Sequence, residues 1–143
     1  MTALDALQTT LAGEHAAVYV CGALGGRTSQ SATPVLYAAL GTAYAAHRSQ
    51  RDQLTATVRD LGGDPVAADV AYDVPAPLDT PDDVAAAAAE LEHRCATTYA
   101  ALVAQTVGDQ RRWAIVALTS AAVRRTGLAG DPDVFPGAAD LAP

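Results

Sequence analysis

Between Gly62 and Asp79 the chain has no route to a helix. Pro65, Pro75 and Pro77 interrupt every register there, because proline lacks an amide proton and its ring clashes with the preceding turn. On either side the sequence reads as helix. Fully extended, this stretch of 18 residues reaches about 60 Å at ~3.3 Å per residue, whereas a helix of about 28 residues is ~42 Å long. The connection is long enough to cross a whole bundle and leave the helices it joins parallel.

The flanking segments carry apolar residues at alternating spacings of three and four, the seam of a bundle helix. Thr2 caps a first helix over 3–25, whose stripe is Leu4, Leu7, Leu11, Glu14, Val18 and Cys21; Gly25-Gly26 stops it. Thr33-Pro34 opens a second over 34–61, with Leu36, Leu40, Ala43, His47, Gln50, Leu54 and Leu61 on its stripe. Thr80-Pro81-Asp82-Asp83 joins a cap, a first-turn proline and acids that face the helix dipole. The third helix follows over 81–107, through Val84, Ala88, Leu91, Cys95, Thr98 and Leu102. Gly108-Asp109 turns the chain into a fourth over 110–126, with Trp113, Val116, Ser120 and Val123 inward, and an irregular tail occupies 128–143. The two short links join antiparallel neighbours. The reading is all-α: a single domain over 1–143, built as a ferritin-like four-helix bundle with a long crossover between helices two and three. An up-down bundle with a loose loop is the competing topology.

Composition narrows the function. A chain of 143 residues, half of them hydrophobic, suffices for one core. The basic residues are all arginine, and the formal charge of −7 excludes a nucleic-acid binder, which needs a basic face. No apolar run approaches the roughly 18–20 residues of a membrane span, and the first residues lack a signal-peptide pattern. The expected setting is cytoplasmic. Two cysteines are too few for a disulfide framework. With a crossover, Cys21 and Cys95 fall at different heights, too far apart for the roughly 4.4–6.8 Å between Cα atoms that a disulfide needs.

Only three residues are Glu, namely Glu14, Glu90 and Glu92, and three are His, namely His15, His47 and His93. Glu14 and His47 interrupt apolar stripes, and Glu92 lies at the edge of the third. At ~1.5 Å per residue all three fall near mid-bundle. A buried carboxylate costs several kcal/mol unless it is paired or binds a metal. Two arrangements satisfy Glu14. In one, it pairs with His47, helped by Tyr44 or Ser120, while Arg124 or Arg125 approaches from the fourth helix. In the other, Glu14, His47 and Glu92 hold a metal, with His15 or His93 as additional ligands. Di-iron and di-manganese bundles use Glu from two helices and Glu-x-x-His from the other two. Here helix two offers Tyr44-x-x-His47, and helix four offers neither residue.

The chain resembles the actinobacterial-type ferritin-like domain family of unknown function, small alanine-rich four-helix proteins. The resemblance rests on Leu11-Ala12-Gly13-Glu14-His15-Ala16-Ala17-Val18-Tyr19, Ala46-His47-Arg48-Ser49-Gln50-Arg51-Asp52 and Tyr72-Asp73-Val74-Pro75. The Glu92 segment, Ala117-Leu118-Thr119-Ser120-Ala121-Ala122-Val123 and Phe135-Pro136-Gly137 extend it. It implies a ferritin-like bundle, a homodimer and no established activity. Relatives with Glu in place of Ser120 would imply one more ligand lost here. The sequence supports first a non-catalytic helical module with a metal-free polar core and no cofactor. The alternative is metal or small-ligand binding, by iron, manganese or zinc, at a reduced carboxylate-histidine site with residual oxidoreductase chemistry. No substrate or protein partner is legible.

Overall fold

The computed structural model describes residues 1–141, which form four helices and a short terminal turn. Helix α1 spans Ala3–Gly25, α2 Pro34–Asp60, α3 Pro81–Gln105 and α4 Gly108–Leu128; a 3₁₀ turn covers Ala139–Leu141. The α1 bounds coincide with the sequence reading. Helix α3 ends earlier than expected, and α4 begins at Gly108 rather than after a Gly108-Asp109 turn. The link is Thr106-Val107 instead: Thr106 leaves the helix with extended backbone while its hydroxyl donates to the Leu102 carbonyl at 2.7 Å.

The two hairpins start alike. Thr2 accepts from the Asp5 amide at 3.1 Å and Asp5 accepts from the Thr2 amide at 2.8 Å. Thr80 and Asp83 repeat this reciprocal cap at 3.1 and 2.9 Å. Each satisfies donors that a helix start leaves free. Helix α2 opens on Pro34, whose missing N–H costs nothing there. It closes at Gly62, whose φ of +77° only glycine adopts without strain, with the Gly63 amide returning to the Val58 carbonyl at 2.9 Å.

Two apolar clusters establish the topology. The upper one joins Ala17, Val20, Cys21 and Leu24 of α1, Leu40 and Ala43 of α2, and Val84, Ala88 and Leu91 of α3. The lower one joins Leu7 and Leu11, Leu54 and Val58, Tyr99 and Leu102, and Ala114 and Ala117 of α4. The first half of α2 therefore lies level with the first half of α3, so these helices are parallel, and α1 is antiparallel to both. The up-down alternative is excluded. Helices α1 and α3 pack side by side, each with its hairpin partner outside, and α2 and α4 meet over far less of their length.

The crossover follows α1 along its outer surface. The Gln8 side chain donates to the Asp64 carbonyl at 2.6 Å and accepts from the Val66 amide at 2.9 Å. His15 donates to the Val66 carbonyl at 3.0 Å, the Tyr19 and Tyr72 rings meet at a tilt of 59° with centroids 5.6 Å apart, and Leu78 reaches the upper core. Past α4 the chain returns across α3. Gly137, with a φ of +74°, lies so close to the Ala96 carbonyl that no side chain would fit.

One stripe needs correction. Helix α4 buries Ala114, Ala117 and Ala121, while Val116 and Val123, expected inside, are each 64% exposed. Small alanines let α4 approach α3 closely, and the larger residues turn outward.

Candidate functional site

Three acidic and basic side chains meet between the two cores. Glu14, His47 and Glu92 have relative exposures of only 1%, 0% and 1%. Each sits where its helix faces the bundle axis, so the chain has placed polar groups where water cannot solvate them. His47 bridges the two carboxylates: Nδ1 is 2.8 Å from Glu14 Oε2, and Nε2 is 3.2 Å from Glu92 Oε1. Tyr99, fully buried, donates its hydroxyl to Glu14 Oε1 at 2.8 Å. Arg124 of α4 closes the chain of contacts, with Nε 2.7 Å from Glu92 Oε1 and Nη2 2.9 Å from Oε2. Every carboxylate oxygen has a donor.

The protonation pattern follows from geometry. A carboxylate oxygen only accepts, so both imidazole nitrogens must donate and His47 is an imidazolium. Burial opposes that charge, but the Cys21 side chain and the Glu14 and Glu92 carboxylates outweigh it and raise the His47 pKa well above the ordinary histidine value. Burial likewise works against the Glu92 carboxylate, yet His47 and Arg124 hold its pKa below the usual value. Two negative and two positive side chains leave the cluster neutral.

Cys95 lies at the same level. One ligand-type atom from each of Glu14, His47 and Cys95 falls within 4.8 Å of the others. Burial, aided by the neighbouring carboxylates, pushes the Cys95 thiol up to about 12, so it is protonated. Cys95 also lines a cavity of about 270 Å³ between α1 and α3. Gly13 and Ala16 leave that space open, and Tyr72 and Asp73 of the crossover border it. Both cysteines are free.

The structure thus brings together Glu14, His47 and Glu92 and adds Arg124, which the sequence had offered beside Arg125. It does not bring in the other histidines. His15 holds the crossover, as described, and His93 Nδ1 stands 3.3 Å from Asp133 in the tail. Arg125 faces that tail too, 2.6 Å from Asp133. Tyr44 and Ser120 do not supply the donor to Glu14; Tyr44 sits at the surface under Arg48. Tyr99 is the residue that sequence reasoning missed. It lies one heptad after Glu92, a spacing that repeats a helix face.

A family profile described as Domain of unknown function (DUF4439) matches residues 6–140. The crystal structure of a conserved hypothetical protein, rv2844, from Mycobacterium tuberculosis is similar. The two are 29% identical with a TM-score of 0.79, over 87% of this chain and 92% of that one. No curated protein matches the chain.

Proposed function

We propose that this chain, which belongs to the DUF4439 family, is a non-catalytic helical module on a ferritin-like bundle. In its core, protonated side chains balance the charge that metal ions balance in di-metal bundles. The observation that carries this reading is Arg124 seated on both oxygens of Glu92. A di-metal centre needs those oxygens free, and it needs Glu-x-x-His from two helices. At the corresponding places α2 offers exposed Tyr44 before His47, and α4 offers Ser120 before exposed Val123. These residues do not fit two bridged ions. That favours the non-catalytic reading over the alternative of residual oxidoreductase chemistry.

The test is elemental analysis of protein produced in iron- and manganese-supplemented cells and purified without chelators. The expected result is neither metal in stoichiometric amount. Two ions per chain would overturn the reading.

The module's partner, on this reading, is a second copy of itself. Ile115, Val116 and Val123 of α4 are exposed beside a groove of about 430 Å³ that α2 completes with Thr42. Arg124, the charged residue on this groove, is already paired inward. On a molecule of net charge −7, such a neutral face lets two copies approach without like-charge repulsion. Closed two-fold dimers are the commonest way to cover it.

A further inference from the structure

We propose that Glu14, His47 and Cys95 form a site for one borderline divalent cation of the zinc class, reached through the cavity beneath the crossover. The proposal rests on the ion-paired core described above, as the state that the cation replaces.

Geometry is the first support. The three ligand-type atoms lie within 4.8 Å of one another on three different helices. Zinc bonds of about 2.0–2.3 Å place tetrahedral ligands roughly 3.5 Å apart, so side-chain shifts of about 1 Å convert the cluster into a coordination shell. Tyr99 already holds the other oxygen of Glu14 at 2.8 Å, the kind of outer contact that orients a carboxylate ligand.

Ligand chemistry is the second. A thiolate, an imidazole and a carboxylate suit zinc or cobalt and discriminate against magnesium, calcium and manganese, which prefer oxygen alone. Glu92 contributes no ligand, because Arg124 occupies it.

Burial is the third. Glu14, His47 and Cys95 are 1%, 0% and 5% exposed, so the packing around them holds the three side chains on the shared site.

Access is the fourth. Cys95 belongs both to the ligand cluster and to the lining of the 270 Å³ cavity. Three protein ligands leave a fourth position for water or an incoming anion, as in zinc sites that keep an open position.

Cobalt(II) is the probe, because thiolate ligation gives it a sulfur-to-cobalt charge-transfer band in the near ultraviolet. Metal content is measured first, and the full chain is then titrated in weakly buffered solution. The expected result is saturation of the band at one cobalt per chain. Cys95→Ser should abolish the band, and Val116→Asp, on the outer face of α4, should retain it, with circular dichroism checking both folds. Should Cys95→Ser fail to fold, Cys95→Ala takes its place, and the wild-type titration remains decisive. Cobalt uptake without the band, or a band that survives loss of Cys95, overturns the site. A metal-free preparation that takes up no cobalt overturns the cation site and leaves the ion-paired core standing. Two ions per chain before titration overturn both.

Discussion

Arg124 grips Glu92 through two nitrogens, Nε at 2.7 Å from Oε1 and Nη2 at 2.9 Å from Oε2. The two residues come from opposite strokes of the second hairpin, and the contact is its polar lock. Its carboxylate end is buried, while the guanidinium keeps 16% exposure. Coulombic attraction there is screened far less than at the surface, and a lone Glu92 would lack most of its donors.

Arg124→Met should therefore destabilise the fold by about 3 kcal/mol, within the range for breaking a buried pair. Urea denaturation measures the loss. The double variant Glu92→Gln/Arg124→Leu should recover part of it, since the neutral amide leaves no carboxylate stranded and its oxygen still accepts from His47 Nε2. A single variant as stable as wild type would show that Arg124 contributes no net stability.

Glu14 separates two substitutions. In Glu14→Gln, the amide oxygen still accepts from Tyr99, and the amide nitrogen donates to a His47 that has lost its Nδ1 proton. The fold should tolerate this, and imidazole nitrogen shifts by NMR should report neutral His47 at pH 7. Glu14→Leu offers no partner to Tyr99 or to Nδ1 and should cost about 1–3 kcal/mol more, from unsatisfied buried donors. Equal thermal melts for the two variants would contradict the pairing.

Stability should also depend on pH from both sides. The His47 pKa is raised in the folded protein from an ordinary value of 6.5. Its contribution is thus fully present below pH 6.5 and declines as pH rises toward the folded value, by at most about 1.4 kcal/mol per pH unit. The Glu92 pKa is lowered from 4.5, so its contribution is present above pH 4.5 and is lost as pH falls through the folded value. These two groups together predict greatest stability between pH 4.5 and 6.5. Urea melts across pH 4 to 9 test this, and replacing His47 with Gln should flatten the alkaline side.

On the outer face, Val116→Asp and Val123→Asp should convert a sedimenting dimer to a monomer. Both positions are 64% exposed, so the monomer's own packing should survive, with melting changed by no more than about 0.5 kcal/mol of stability. A wild-type chain that sediments as a monomer at micromolar concentration would refute the dimer.

Much of this architecture was legible from residue types alone. Pro65, Pro75 and Pro77 exclude a helix by backbone chemistry, so a connection long enough to cross the bundle was legible, while the choice of crossover over a loose loop needed the packing of the two cores. Glu14 and His47 stood out because a charged residue on an apolar stripe needs a partner. Helix α4 was harder. Its apolar residues, from Trp113 and Ile115 to Leu118 and Val123, are spread around its circumference, so periodicity indicates no inner face. Closeness to α3 selects the alanines, and that is a tertiary fact. Tyr99 was obscured similarly: Thr98 and Tyr99 both continue plausible stripes, and only the position of Glu14 decides between them.

The lower core has a consequence for how the protein comes into being. Leu7 and Ala117 belong to the same apolar cluster, although more than a hundred residues separate them along the chain. During synthesis the first hairpin emerges with Leu7, Leu11 and Leu54 lacking their later neighbours, and it stays so until α4 has left the ribosome. Contacts this distant in sequence form slowly, since a long loop must close before they are rewarded. The nascent chain is thus a half-built bundle with a bare apolar floor for most of its translation, and a natural client for chaperones.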